Sequence, residues 1–114
     1  MSQQNDIHEV EMSIAAAKEM VERGEMAAKL ADNPAFKKIV LDGYFVDEAA
    51  RLAHLYSDPN MSAEQRGMIK RDLAGIGGFK RYLQTLVRMG QMADEEIREA
   101  QFELDAIRAE GDDE

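Results

Sequence analysis

The sequence predicts an all-α protein, a helical hairpin or small bundle with a long C-terminal coiled-coil-like helix. Three observations predict it. A seven-residue apolar repeat runs from Ile76 to Ile107, a second apolar stripe with three- and four-residue steps runs from Ile7 to Ala31, and both are bounded by strong helix stop and start signals.

The first helix is expected to start near Asn5 or Asp6, either of which can cap free backbone N–H groups, with Glu9 and Glu11 favourably placed in the positive first turns. Its stripe is Ile7, Val10, Ile14, Ala17, Val21, Gly24, Ala28 and Ala31, which shrinks from branched residues to glycine and alanine. Asp32-Asn33-Pro34 ends it, because proline disfavours helical geometry in the residue before it and suits the first turn of a new helix.

A second helical region is expected from Pro34 to about Tyr56, with a possible kink at Gly43. Ser57-Asp58-Pro59-Asn60 combines turn formers, and Ser62-Ala63-Glu64-Gln65 fits a capping box in which serine and glutamine satisfy reciprocal backbone donors. From there the pattern stays helical to about Ala109, across Gly75, Gly77, Gly78 and Gly90. Each interior glycine costs roughly 1 kcal/mol relative to alanine, so the cluster at 75 to 78 predicts a kink or a close packing point.

With Ile76 at heptad position a, the seam is Ile76, Phe79, Leu83, Leu86, Gly90, Ala93, Ile97, Ala100, Leu104 and Ile107, every member apolar or glycine. Such a stripe faces a partner helix continuously. Leu73, Tyr82, Val87 and Met89 widen it before Gly90; beyond Gly90 only a and d stay apolar, apart from Phe102 on the far side. The expected organisation is a single helical domain over 1–109, with a compact core at 34–90 and pairing helices at 6–31 and 91–109, followed by a disordered acidic tail at 110–114.

Two pairings fit the seam. The small residues Gly24, Ala28 and Ala31 could meet Gly90, Ala93 and Ala100 in an antiparallel approach, within one chain or between subunits. Alternatively, an antiparallel homodimer of the long helix would bring Arg66, Lys70, Arg71, Lys80 and Arg81 of one copy near Glu95, Glu96, Glu99 and Glu103 of the other, twice by symmetry. Self-association is the favoured reading.

Charge is strongly segregated. The net charge is −9, yet residues 34–90 carry nine bases against six acids, while residues 91–114 carry two bases against ten acids. The basic middle could face an acidic partner, a phosphate backbone or the chain's own acidic ends. A net negative charge disfavours nucleic acid and anionic lipid as general partners. No apolar run approaches the roughly 20 residues that cross a bilayer, and no secretory leader is signalled, so neither membrane spanning nor secretion is expected.

The chemistry-bearing residues predict no catalysis. With no cysteine there is no disulfide, thiolate metal site or thiol nucleophile. His8 and His54 lie on different expected helices without metal spacing, and no carboxylate pair is distinguished for acid–base work. Gly75-Ile76-Gly77-Gly78 lacks the strand and the Lys-Ser/Thr that make a phosphate loop. No metal, cofactor or catalytic residue is therefore expected. The eight methionines suit an adaptable core or binding surface.

The stretch Asn33-Pro34-Ala35-Phe36-Lys37-Lys38-Ile39-Val40-Leu41-Asp42-Gly43-Tyr44-Phe45, then Glu48-Ala49-Ala50-Arg51-Leu52 and Ile76-Gly77-Gly78-Phe79, resembles small acidic helical proteins of tailed bacteriophages. The resemblance implies a phage origin, a place in the bacterial cytoplasm or the virion, phage or host protein partners, and a task in head or virion assembly. Its alternative is inhibition of a host nucleic-acid enzyme or defence complex by the acidic helical surface.

Overall fold

A computed structural model describes Ser2–Asp112, and the described residues are helical throughout apart from short connections, with no strand among them. The elements are α1 (Ser2–Asp32), α2 (Pro34–Phe36), a π-helical segment π1 (Lys37–Glu48), α3 (Ala49–Tyr56) and α4 (Ala63–Asp112). Two compact units share these helices: a hairpin unit of 1–26 with 86–114, and a core unit of 27–85.

The hairpin unit holds α1 and the C-terminal part of α4 antiparallel. Ile14 and Ala17 on α1 and Ala93 and Leu104 on α4 are its buried apolar residues, spaced by single helical turns and their multiples. Gln3 Nε2 donates to the Ile107 carbonyl at 3.0 Å, and the Arg108 guanidinium lies 3.4 Å from Glu11, so low numbers on α1 meet high numbers on α4. The Gln3 bond also accounts for the start of α1 at Ser2, ahead of the expected Asn5 or Asp6. A turn held at its side chain persists where a free one would fray.

Near the other end of this unit the helices touch backbone to backbone. A Cβ placed on Gly24 would lie 2.9 Å from Gly90 Cα and 2.9 Å from the Leu86 carbonyl oxygen; one on Gly90 would lie 2.9 Å from Gly24 Cα. Only glycine fits at either position, and the shrinking stripe of α1 thus has its physical reason. The stripe takes one different step: Ala27 is buried and Ala28 exposed. A straight α-helix drifts about 20° per heptad against a strict seven-residue repeat, which moves the buried edge from one alanine to its neighbour.

In the core unit, Asn33 is both stop and start. Its Oδ1 accepts from the Ala35 and Phe36 N–H groups at 3.0 Å each, with Pro34 in the first turn that follows. The π segment then spans the place where a kink at Gly43 was expected. Phe36 just before it, Val40, Leu41 and Phe45 within it and Ala49 just after it are half-buried, and Phe36, Val40, Phe45 and Ala49 follow one another at four to five residues. That interval is longer than the 3.6-residue α turn and matches the wider i→i+5 turn.

Leu52, Ile69 and Ile76 form the buried centre of this unit, with Phe45, Ala49, Leu55, Met61 and Leu73 packed around them. Burying each of the three contributes about 1.5–3 kcal/mol. Phe45 meets Phe79 edge to face at 5.5 Å between ring centroids. The capping box forms as read: Gln65 N–H donates to Ser62 Oγ and Ser62 N–H to Gln65 Oε1, both at 3.1 Å.

From this start α4 is one α-helix for 50 residues, the glycines at 75 to 78 do not interrupt it, and a Cβ built on them would meet only the Arg81 side chain. A Cβ on Gly75 would meet nothing within 4 Å. At the far end, α4 runs on through Asp112. Residues 110–112, expected in a disordered tail, are therefore helical, since nothing in Glu110-Gly111 blocks helical bonding and Gly111 abuts the Gln3 side chain. Residues 113 and 114 lie outside the described residues.

Candidate functional site

The heptad seam is largely an internal surface. Ile76, Gly90, Ala93 and Leu104 are buried and Leu83, Leu86, Ile97, Ala100 and Ile107 half-buried; Phe79 is the exception at 39% exposed. From Leu86 onward its members belong to the hairpin unit, where the chain's own α1 supplies the facing helix. Ile76 faces the core of the other unit.

Several large apolar side chains of α4 stay exposed, some beside the seam and some away from it. Met68, Tyr82, Met89, Met92 and Phe102 are all exposed, Tyr82 by 60% and Phe102 by 79%. Phe102 is the most exposed of the large apolar side chains among the described residues. Met68, Tyr82 and Met89 share one heptad position beside the seam, whereas Met92 and Phe102 lie on the outward side.

The five predicted basic residues do not act as one patch. Arg66 is half-buried, and its Nη2 donates to the Asp58 carbonyl at 2.9 Å, tethering the 57–62 loop to α4 while its Nε is buried without a partner. Lys80 follows Ile76 and Leu73 by one and two turns and lies beside the seam. Lys70, Arg71 and Arg81 are exposed on the outward side, joined there by Arg88. The Arg81 guanidinium lies over the bare helix surface at Gly77 and Gly78: a Cβ there would sit 3.5 and 4.0 Å from its Nη1 and Nη2.

Among the described residues, ion pairs join Arg51 to Glu48, Arg98 to Asp94 and Arg108 to Glu11, and none involves Lys70, Arg71, Lys80, Arg81 or Arg88. Arg51 donates to Glu48 and holds its carboxyl below the usual carboxylate range; both groups are on the surface, and this is a helix-face pair three residues apart.

From residue 65 to residue 93 α4 carries six bases and one acid, and from 94 to 112 two bases and eight acids. Glu95, Glu96, Glu99 and Glu103 are all exposed. Both charge blocks are visible in the sequence, and Met92 and Phe102 are their neighbours on the helix. The usable signal was the spacing of Met92, Glu95, Glu99 and Phe102, three, four and three residues, which puts all four on one outward face.

Among the described residues no three His, Asp or Glu side chains gather as a metal site would require, and no helix is long and apolar enough to cross a membrane. A hollow lined by His54, Leu55, Ser57, Asp58 and Pro59 sits at the turn after α3, without converging charged groups other than Asp58. The fold and its open surface define a class, an all-α protein whose distinctive exposed feature is a charge-segregated helix. No protein-family model, curated protein or solved structure matches the chain.

Proposed function

We propose that this is a non-enzymatic helical interaction protein that acts by self-association, in the head or virion assembly of a tailed bacteriophage. The observation that carries the reading is the state of α4: one stretch basic with no ion pair among the described residues, the next acidic, and exposed Tyr82, Met89, Met92 and Phe102 along both. A helix of this kind has opposite ends that attract copies of each other and apolar side chains that gain from being covered. The resemblance to small acidic phage proteins supplies the setting, a bacterial host cytoplasm or a particle.

Sedimentation velocity across a hundredfold range of concentration tests the association; a concentration-dependent oligomer is expected, and a monomer at every concentration would sink the proposal. Fractionation of infected cells tests the setting, with the chain expected to travel with procapsids or virions.

A second reading is favoured by the outer surface of the hairpin unit. Glu9, Glu11, Glu19, Glu22 and Glu25 on α1 are exposed, as are Glu95, Glu96, Glu99 and Glu103 on α4. Such a surface can imitate nucleic acid toward a basic host enzyme or defence complex. Recovery of one host protein in stoichiometric amount, with no association with particles, would select this reading over assembly.

A further inference from the structure

We infer that two copies of the chain pair through the outward line of α4, antiparallel and centred on Gly90, with Phe102 of each copy seated on the glycine surface at Gly78 of the other. This rests on the self-association proposed above and names the face that performs it, which is opposite the heptad seam.

The outward line follows helical steps of three and four from Arg71 through Gly78, Arg81 and Arg88 to Met92, Glu95, Glu99 and Phe102. All of these are exposed except Gly78, which is half-exposed and carries no side chain. Reversing the line about Gly90 superposes it on itself, with complementary charge at one step and complementary shape at another. Arg81 falls opposite Glu99, Gly78 opposite Phe102, Thr85 opposite Glu95, and Arg88 opposite Met92. The two-fold operation makes each contact occur twice.

Steric and electrostatic matches coincide in this register. Phe102 is the large side chain with the least cover, and the position it meets is a helix surface with no Cβ of its own, overlaid only by the Arg81 guanidinium. No ion pair engages that guanidinium among the described residues, and in the dimer it turns to Glu99, uncovering the glycines that receive the ring. Met89, one step to the side of the line, lies next to its own copy at the two-fold axis, so its exposed side chain is covered as well.

The occupant is a second copy because α4 itself carries the complement. A nucleic acid would gain from Arg71, Arg81 and Arg88 but would meet Glu95 and Glu99 on the same line, in a chain of net charge −9.

The test compares wild type, Arg81→Glu, Glu99→Arg, the double variant carrying both, and Phe102→Ala by sedimentation equilibrium at low salt. All replaced side chains are exposed, and helix content by circular dichroism checks that each variant folds. Each charge variant is expected to weaken dimerisation about tenfold through two like-charge contacts, and the double variant to recover it, because reversal at both positions restores attraction at both contacts. Phe102→Ala should weaken it about a hundredfold by removing two buried rings.

Dimerisation of all four variants as tight as that of the wild type would overturn this interface while leaving self-association standing; a monomeric wild type would overturn both. Failure of the double variant to recover would also refute the pairing. So would loss of binding to a labelled oligothymidine by Arg81→Glu with the oligomer unchanged, which would assign the line to nucleic acid.

Discussion

Gly90 and Gly75 stand on the same helix and do opposite things. In the hairpin unit Gly90 is the contact: its Cα nearly touches the backbone at Gly24, and the unit is held by small residues and a narrow apolar seam. In the core unit Gly75 touches nothing, and cohesion comes from large side chains, Leu52, Ile69 and Ile76 with Phe45 and Leu73 around them. One unit gains stability from how closely two backbones approach, the other from how much apolar area a cluster removes from water. The difference teaches that a glycine in a helix is informative only with its neighbour in view.

The sharpest way to break that comparison is at Gly90. Gly90→Val places a branched side chain where the facing atoms are Gly24 Cα and the Met20 carbonyl, at 2.9 and 3.3 Å from the first added carbon. Backbone atoms cannot turn aside as a side chain can, so the helices must separate along the unit. A loss of about 3 kcal/mol is expected, at the upper end of ordinary overpacking, read as a lower urea midpoint by circular dichroism. An unchanged midpoint would mean that the close crossing contributes nothing.

The core unit should respond to the opposite kind of change. Leu52→Ala removes three carbons from the centre of a cluster with only three buried members, and about 2–3 kcal/mol should be lost. The expected magnitude lies at the lower end of the usual range because Phe45, Leu55 and Met61 are only partly buried and can close on the space. Tyrosine fluorescence serves as a local readout here, since Tyr44 lies 6.0 Å from the Phe45 ring by centroid. A tyrosine signal that melts no earlier than in the wild type would show that the cluster does not hold its own unit together.

Much of this contrast was legible in the sequence. The capping box at Ser62 and the stop at Asn33-Pro34 are local devices, complete within four residues, and they form where the residue types place them. Nine of the ten seam positions are buried or half-buried, because a seven-residue repeat states its own geometry. Three things were not legible. The π segment depends on a four-to-five residue spacing that a search for α periodicity passes over. Arg66 is drawn into the loop by a backbone carbonyl at Asp58, a contact eight residues away that charge patterning does not register. The outward line was divided between two readings, one of charge blocks and one of apolar seams, although Met92, Glu95, Glu99 and Phe102 belong to a single face.

The smallest expected effect sharpens the comparison from its other side. Gly75 is an interior helical residue, exposed, with helical backbone and open space where a Cβ would go. Alanine there lowers the conformational entropy of the unfolded chain and costs nothing in the folded one. Gly75→Ala should therefore raise stability by up to about 1 kcal/mol, a shift of a few degrees in Tm at most for a chain of this size. The sign is what matters. Gly90→Val and Gly75→Ala change one helix by adding carbon at a glycine, and only the presence of a facing backbone makes one harmful. If Gly75→Ala instead destabilises the protein at concentrations where it is monomeric, the open space above residue 75 is occupied by the chain itself, and the core unit shares the close-packing rule of the hairpin.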